Sequence, residues 1–285
     1  MLSLVFLLAV AASATAQPPA ADSQIGASRV ALATVLDPKN HPVLDVGIDD
    51  FVIQEAGTAR EVLSVRPADY PIVLLLDTGI DARGDFQMIR KAAAHFLERV
   101  GQRPVAIGTF GGTPALVSTL EEEREAILAK LEALDAPHNA PSSLLAGAAL
   151  AADAIRKTGA LFSAIVVLSS SSLDASGGAV DPMIATIIDS NAILHIVANR
   201  AVQATAGSGF RPAAMIRALA EQSRGEYTTI YSASSFQSAL DTLADRLSSE
   251  LMIEYIVPVG SKPNDVKLGV RLAGARVRGL GVAPK

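Results

Sequence analysis

The chain has no cysteine and no tryptophan, and aromatic residues make up only 4% of its 285 positions. Without cysteine there are no disulfides, no thiolate nucleophile and no cysteine-ligated zinc. So few rings offer no platform for stacking bases or sugars. Positive charge is thin as well. Against 29 Asp and Glu stand 24 Lys and Arg, for a formal charge of −5, and no Lys/Arg run exceeds two residues. That argues against a phosphate-binding basic patch, and so against nucleic acid as a partner. No HExxH, Walker A, GxGxxG or GxSxG pattern occurs, so common metalloprotease, nucleotide-binding and serine-hydrolase signatures are missing. Aliphatic residues are what the chain has in plenty. Half of all positions are hydrophobic, which favours a packed core over disorder, and the length suits one large domain or one domain with a small module.

Residues 1–16, MLSLVFLLAVAASATA, carry an apolar run from Leu2 to Ala12 and end in the small-x-small pattern Ala14-Thr15-Ala16. The run is shorter than the about 20 residues of a membrane span. It predicts a secretory signal peptide cleaved before Gln17, with an uncleaved anchor as the alternative, and hence a secreted or periplasmic protein. No basic residue precedes the run, as one usually does in such a peptide. No later stretch has the length of a membrane span. Residues 17–29, with paired prolines, read as a linker.

From there the pattern changes twice. Residues 30–69 carry strand signals: Val30 to Leu36, then the turn Asp37-Pro38-Lys39-Asn40, then Phe51 to Gln54 and Glu61 to Val65 flanking Gly57 as a hairpin. Such a segment is too small for a core of its own. Residues 70–250 alternate buried strands with amphipathic helices. Ile72 to Leu76 is apolar on both faces, as a central parallel strand covered by helices must be. The order is strand, helix, strand, short strand, helix, helix, strand, helix, strand, helix, strand, helix. This predicts an α/β fold with a doubly wound, mostly parallel sheet. Residues 251–285 return to strand signals, predicted to pair with those of residues 30–69. The α/β domain would then be inserted in a small all-β module built from both ends of the chain.

In an open parallel sheet, ligands bind beyond the carboxyl ends of the strands. There the sequence places Asp77-Thr78-Gly79-Ile80-Asp81, a loop with His138, Asn139, Ser142 and Ser143, and the run Ser169 to Ser172 followed by Asp174. A buried strand ending in Asp77, a glycine-bearing turn and an amphipathic helix together resemble a von Willebrand factor A-type domain. The run DPKNHPVLDVGIDDFVIQEAGTAREVLSVRPADYPIVLLLD after Leu36 is similar to the VWFA-related acidobacterial proteins, a secreted bacterial subgroup. Pro42-Val43, Asp50-Phe51, Glu55 and Gly57 match its pattern, and Asn40 replaces its glycine. Glu254-Tyr255-Ile256 and the late Arg276 and Arg278 also fit.

The resemblance implies a metal-ion-dependent adhesion site, altered here. Asp77 matches its first ligand. Gly79 and Asp81 occupy its two serine positions, Ser142 its threonine position, and Ser170 the place of an aspartate. The implied ligand set for a divalent cation, Mg²⁺ or Ca²⁺, is therefore Asp77, Asp81, Ser142 and Ser170. A degenerate site holding such a cation weakly, or none, is expected. Without metal, Asp77 would accept hydrogen bonds from Ser170 and from its own turn. Gly79, His138 and Asp174 are candidates for the ligand face. The function implied is a non-catalytic, adhesion-type module with a protein ligand. Two alternatives remain open: an envelope assembly component acting through the β-module, and a cryptic hydrolase using Ser170, His138 and Asp77. His195, inside an apolar strand, reads as a satisfied core residue.

Overall fold

A computed structural model describes residues 26–134, 139–171, 174, 176, 180–199 and 212–285. The expected signal peptide and most of the expected linker lie outside them. The chain opens with strands β1 (Ala27–Leu36), β2 (Phe51–Glu55), β3 (Thr58–Arg60) and β4 (Val62–Pro67). The alternating part follows: β5 (Ile72–Leu76), α1 (Phe86–Arg99), β6 (Val105–Thr109), β7 (Ala115–Leu116), α2 (Arg124–Glu132) and α3 (Leu144–Arg156). It continues with β8 (Ala164–Ser169), α4 (Val180–Asp189), β9 (Ile193–Asn199), α5 (Pro212–Gln222), β10 (Tyr227–Ile230) and α6 (Ser235–Ser248). Strands β11 (Glu250–Val257), β12 (Val266–Val270) and β13 (Arg276–Pro284) close it.

The central sheet runs β10-β9-β8-β5-β6-β7, parallel throughout except for β7. All five residues of β5 are buried, because alternate side chains serve two different cores. Ile72, Leu74 and Leu76 pack with α1, α2 and α6, whereas Val73 and Leu75 pack with α3, α4 and α5. From β5 the chain steps to β6 on one side and then returns to β8 on the other. The strand order therefore reverses between β5 and β8, which opens a crevice at their carboxyl ends.

The terminal strands do pair. Sheet β13-β1-β11-β4 and sheet β12-β2-β3 are antiparallel and mix both ends of the chain. Ala31, Ala33, Val35, Ile253 and Tyr255 face Phe51 and Ile53 across the sandwich. On the other face Val30, Leu32, Met252 and Leu280 join the core of α1 and α6. The junction lies at the amino ends of the central strands. Tyr70, just before β5, donates its hydroxyl to buried Glu250, and Arg103, just before β6, donates to the Leu247 carbonyl at 2.5 Å. Burial pushes the Glu250 carboxyl above its ordinary range, against the opposing pull of Tyr70 and Arg103.

Three expectations need correction. The hairpin around Gly57 joins β2 to β3, not to residues 61–65. Ala56 and Gly57 both have positive φ and make a two-residue turn, after which β4 leaves to pair with β11. The sequence reads as a helix from Glu121 to Leu134, but α2 starts at Arg124, since Glu122 accepts the Thr119 N–H at 2.9 Å and holds a turn ahead of the helix. Strand β1 reaches back to Ala27, which puts Arg29 inside the sheet rather than in a linker.

Arg29 is 2% exposed and pairs with Glu55, also 2% exposed. It further reaches Ser261, while Glu55 accepts the Asn264 N–H at 3.2 Å. This pair therefore ties the segment between β11 and β12 to both sheets. Glu55→Gln is expected to cost about 3 kcal/mol in urea denaturation, because it leaves a buried cation uncompensated. The double change Arg29→Leu with Glu55→Leu should cost less than the single one, as removing both charges removes both desolvation penalties.

Candidate functional site

Asp77 follows the last residue of β5 and is completely buried. Five neutral donors, drawn from its own turn and two other loops, fill its carboxylate. Oδ1 accepts the Gly79 N–H at 2.9 Å and the Ser142 hydroxyl. Oδ2 accepts the backbone N–H groups of Ser170 (3.0 Å) and Ser171 (2.9 Å), with the Ser169 hydroxyl at 3.3 Å. Burying a carboxylate costs several kcal/mol unless donors replace its water, and here both oxygens are served. The hydroxyls of Ser142 and Ser171 also bond to each other, closing the knot.

The loops reach this arrangement by close approach. The Gly111 N–H donates to Thr78 Oγ1 at 3.1 Å, the Ser143 N–H to the Phe110 carbonyl at 2.8 Å, and the Ile80 N–H to the Ala140 carbonyl at 2.9 Å. A Cβ at Gly111 would stand 2.2 Å from the Thr78 carbonyl carbon, so only glycine allows the loop after β6 to lie on the Asp77 turn.

Beside the knot is a second carboxylate that the motif reasoning missed. Asp85, at the N-cap of α1, accepts the Ser170 hydroxyl at 2.8 Å and the Asn199 side-chain amide at 2.6 Å, both on Oδ2. Ser170 thus bridges the two carboxylates, its backbone on Asp77 and its side chain on Asp85. An aspartate directly before an amphipathic helix is a capping signal readable in sequence.

Asp77, Gly79, Ser142 and Ser170 come together. Asp81 does not join them. It sits on the short 3₁₀ turn Ile80–Ala82, which turns Ala82 inward and leaves the Asp81 side chain exposed and without a hydrogen bond to the knot. Asp174 also stays apart, because its Oδ1 accepts the Ser176 N–H (3.1 Å) and hydroxyl (2.7 Å) in a local turn. His138 lies outside the described residues. His195 is buried but not satisfied: neither ring nitrogen has a hydrogen-bond partner among the described residues. That corrects the expectation of a satisfied core histidine.

A hard divalent cation needs an oxygen-lined space. The residues described here do not fit one. Both Asp77 oxygens are taken, and the Ser142 hydroxyl hydrogen is spent on Oδ1. A Cβ at position 79 would lie 2.0 Å from Ser142 Oγ, so the room for a serine ligand there is filled. Among the described residues, no three His, Asp or Glu side chains gather where they could share an ion.

No protein-family model and no curated protein matches the sequence. Solved structures do. A von Willebrand factor type A structure from Catenulispora acidiphila aligns over 91% of this chain and 73% of its own, at 12% identity and a TM-score of 0.54. The chain has the von Willebrand factor type A fold. Proximal thread matrix protein 1 of the mussel byssus aligns over 64% of this chain at 12% identity and a TM-score of 0.50. This chain covers about half, 48%, of that protein's length. An aerotolerance-related membrane protein from Bacteroides fragilis aligns over 62% of this chain and 99% of its own, at 16% identity and a TM-score of 0.49. In this von Willebrand A fold the Asp77 knot stands at the crevice where strand order reverses. Among the described residues no helix is long and apolar enough to cross a membrane.

Proposed function

We propose that this chain is a non-catalytic recognition module that works outside the cytoplasm and takes a protein partner on the rim around Asp77. A hydrogen-bonded carboxylate, rather than a cation, would organise that rim. The observation carrying this reading is the set of five neutral donors that fills Asp77 from its own turn and two other loops. Two large side chains on the same rim support a protein partner: Ile80, 48% exposed, and Tyr231 directly after β10, 84% exposed. Tyrosine is among the usual anchors of interfaces, and the isoleucine adds exposed apolar surface beside the Asp77 turn. A hydrolytic reading has less support, since the hydroxyls of Ser142 and Ser169 bond to Asp77 and that of Ser170 to Asp85, and none of them bonds to an imidazole among the described residues.

Calorimetric titration with Mg²⁺, Mn²⁺ and Ca²⁺, on the native chain and on Asp77→Ala, tests the metal-independent part. Heatless traces for both are expected. Saturable heat in the native chain that vanishes in the variant would overturn it. Capture of a partner from the native envelope fraction, with and without EDTA, tests the rim. The captured protein should survive EDTA and be lost when Ile80→Asp and Tyr231→Ala are combined. Unchanged capture by that double variant would overturn the rim as the docking face.

A further inference from the structure

At the amino-end side of the sheet, away from the Asp77 rim, a cavity of about 150 Å³ opens between β9, β10 and α6. Its lining includes His195, Glu226, Thr228, Ala239, Leu243 and Arg246. His195 is 2% exposed, and neither ring nitrogen finds a partner among the described residues. A buried polar group left unpaired is costly, so a native structure that keeps one calls for an explanation. Most of the remaining wall is aliphatic. Arg246 and Glu226 also line the cavity and pair at 2.7 Å, with Glu226 59% exposed and Arg246 only 19%. The surrounding field is positive, because Arg246 and Arg278 both bear on the imidazole, and Arg278 has no ion pair among the described residues.

We propose that this cavity binds a short-chain monocarboxylate, with the ligand carboxylate held between Arg246 and the His195 N–H and its alkyl tail against Ala239 and Leu243. Three features select that chemistry. The cavity is well below the roughly 300 Å³ where drug-sized ligands begin, so only a few heavy atoms fit. The Arg246 guanidinium in the lining, with the Arg278 charge beyond it, disfavours a cation, while a neutral alcohol would leave Arg246 unused. The resident Glu226–Arg246 pair does not bar entry, since an ion pair with one partner so exposed is weakly held and an incoming carboxylate can replace Glu226 on Arg246. A ligand carboxylate also supplies the acceptor that the buried imidazole lacks.

Butyrate is the probe, titrated into the full chain by calorimetry while the histidine ring signals are followed by NMR. Saturable one-to-one binding at about 1 mM or tighter is expected, with the His195 ring resonances shifting along the same curve. Arg246→Gln and His195→Leu should each weaken binding about tenfold, and 1-butanol should bind about tenfold more weakly than butyrate. If His195→Leu fails to fold, Arg246→Gln and the butanol comparison carry the same test. No saturable binding, equal binding of butanol, or a His195 signal that never moves would each overturn the proposal. The first of these would leave the cavity to water, and the second would make it an apolar hole without carboxylate recognition.

Discussion

Asp77→Ala is expected to destabilise the folded chain by about 4 kcal/mol, with or without Mg²⁺ in the buffer. The substitution orphans the N–H groups of Gly79, Ser170 and Ser171 and the hydroxyls of Ser142 and Ser169. Each buried donor left unpaired costs about 1–3 kcal/mol before relaxation, and water entering the crevice recovers part of the sum. Asp77→Asn keeps the shape but turns an NH₂ toward groups that themselves donate. It should cost almost as much, whereas Ser142→Ala, which removes one of the five donors, should cost about 1 kcal/mol. Urea denaturation of the three variants with and without Mg²⁺ measures all of this. Were the carboxylate a cation ligand instead, Mg²⁺ would raise the midpoint of the native chain by mass action and leave Asp77→Ala unmoved. A loss under about 1 kcal/mol for Asp77→Ala would show that the knot does not hold the loops.

The second large effect is acid sensitivity from His195. Burial, then the Arg246 and Arg278 charges, lower its pKa from 6.5 to about 3. Above the unfolded value neither state carries the proton, and the stability is fully present. As pH falls below 6.5 the unfolded chain takes up a proton that the folded chain refuses, so stability drops until the folded value is reached. The slope in that window approaches about 1.4 kcal/mol per pH unit. His195→Leu removes this term. The stability of His195→Leu relative to the native chain should therefore rise by about 3 kcal/mol between about pH 7 and about pH 4. Other acid-sensitive groups, Glu250 among them, act equally in both proteins and cancel. Parallel stability curves would mean that the imidazole reaches a proton acceptor or solvent in the folded chain.

The elements that could be read in advance are those where local pattern and final burial agree. Ile72 to Leu76 has no polar position, so only a strand covered on both faces suits it, and the helix–strand order around it follows. The pairing of the chain's two ends was legible because neither end segment could bury its apolar residues alone. Where reading failed, distant contacts decided. Nothing local in residues 62–67 says that they leave the hairpin for β11, a strand nearly 200 positions later. At the site, motif spacing points to Asp77 and Ser142, but the tight 3₁₀ turn here carries Asp81 away from them, and Asp85 lies just past the motif's end. The unpaired state of His195 is a property of three elements packed together, and no sequence pattern encodes it.

The antiparallel register of β1 and β13 sets Arg29 opposite Pro284 and Leu36 opposite Arg276. Tension drawn between the outer ends of these two strands would load that ladder from one end, opening its hydrogen bonds in succession rather than all together. The adjoining α/β body lies outside that line of pull. A pull between the two ends would therefore peel this ladder before the load reached the Asp77 crevice.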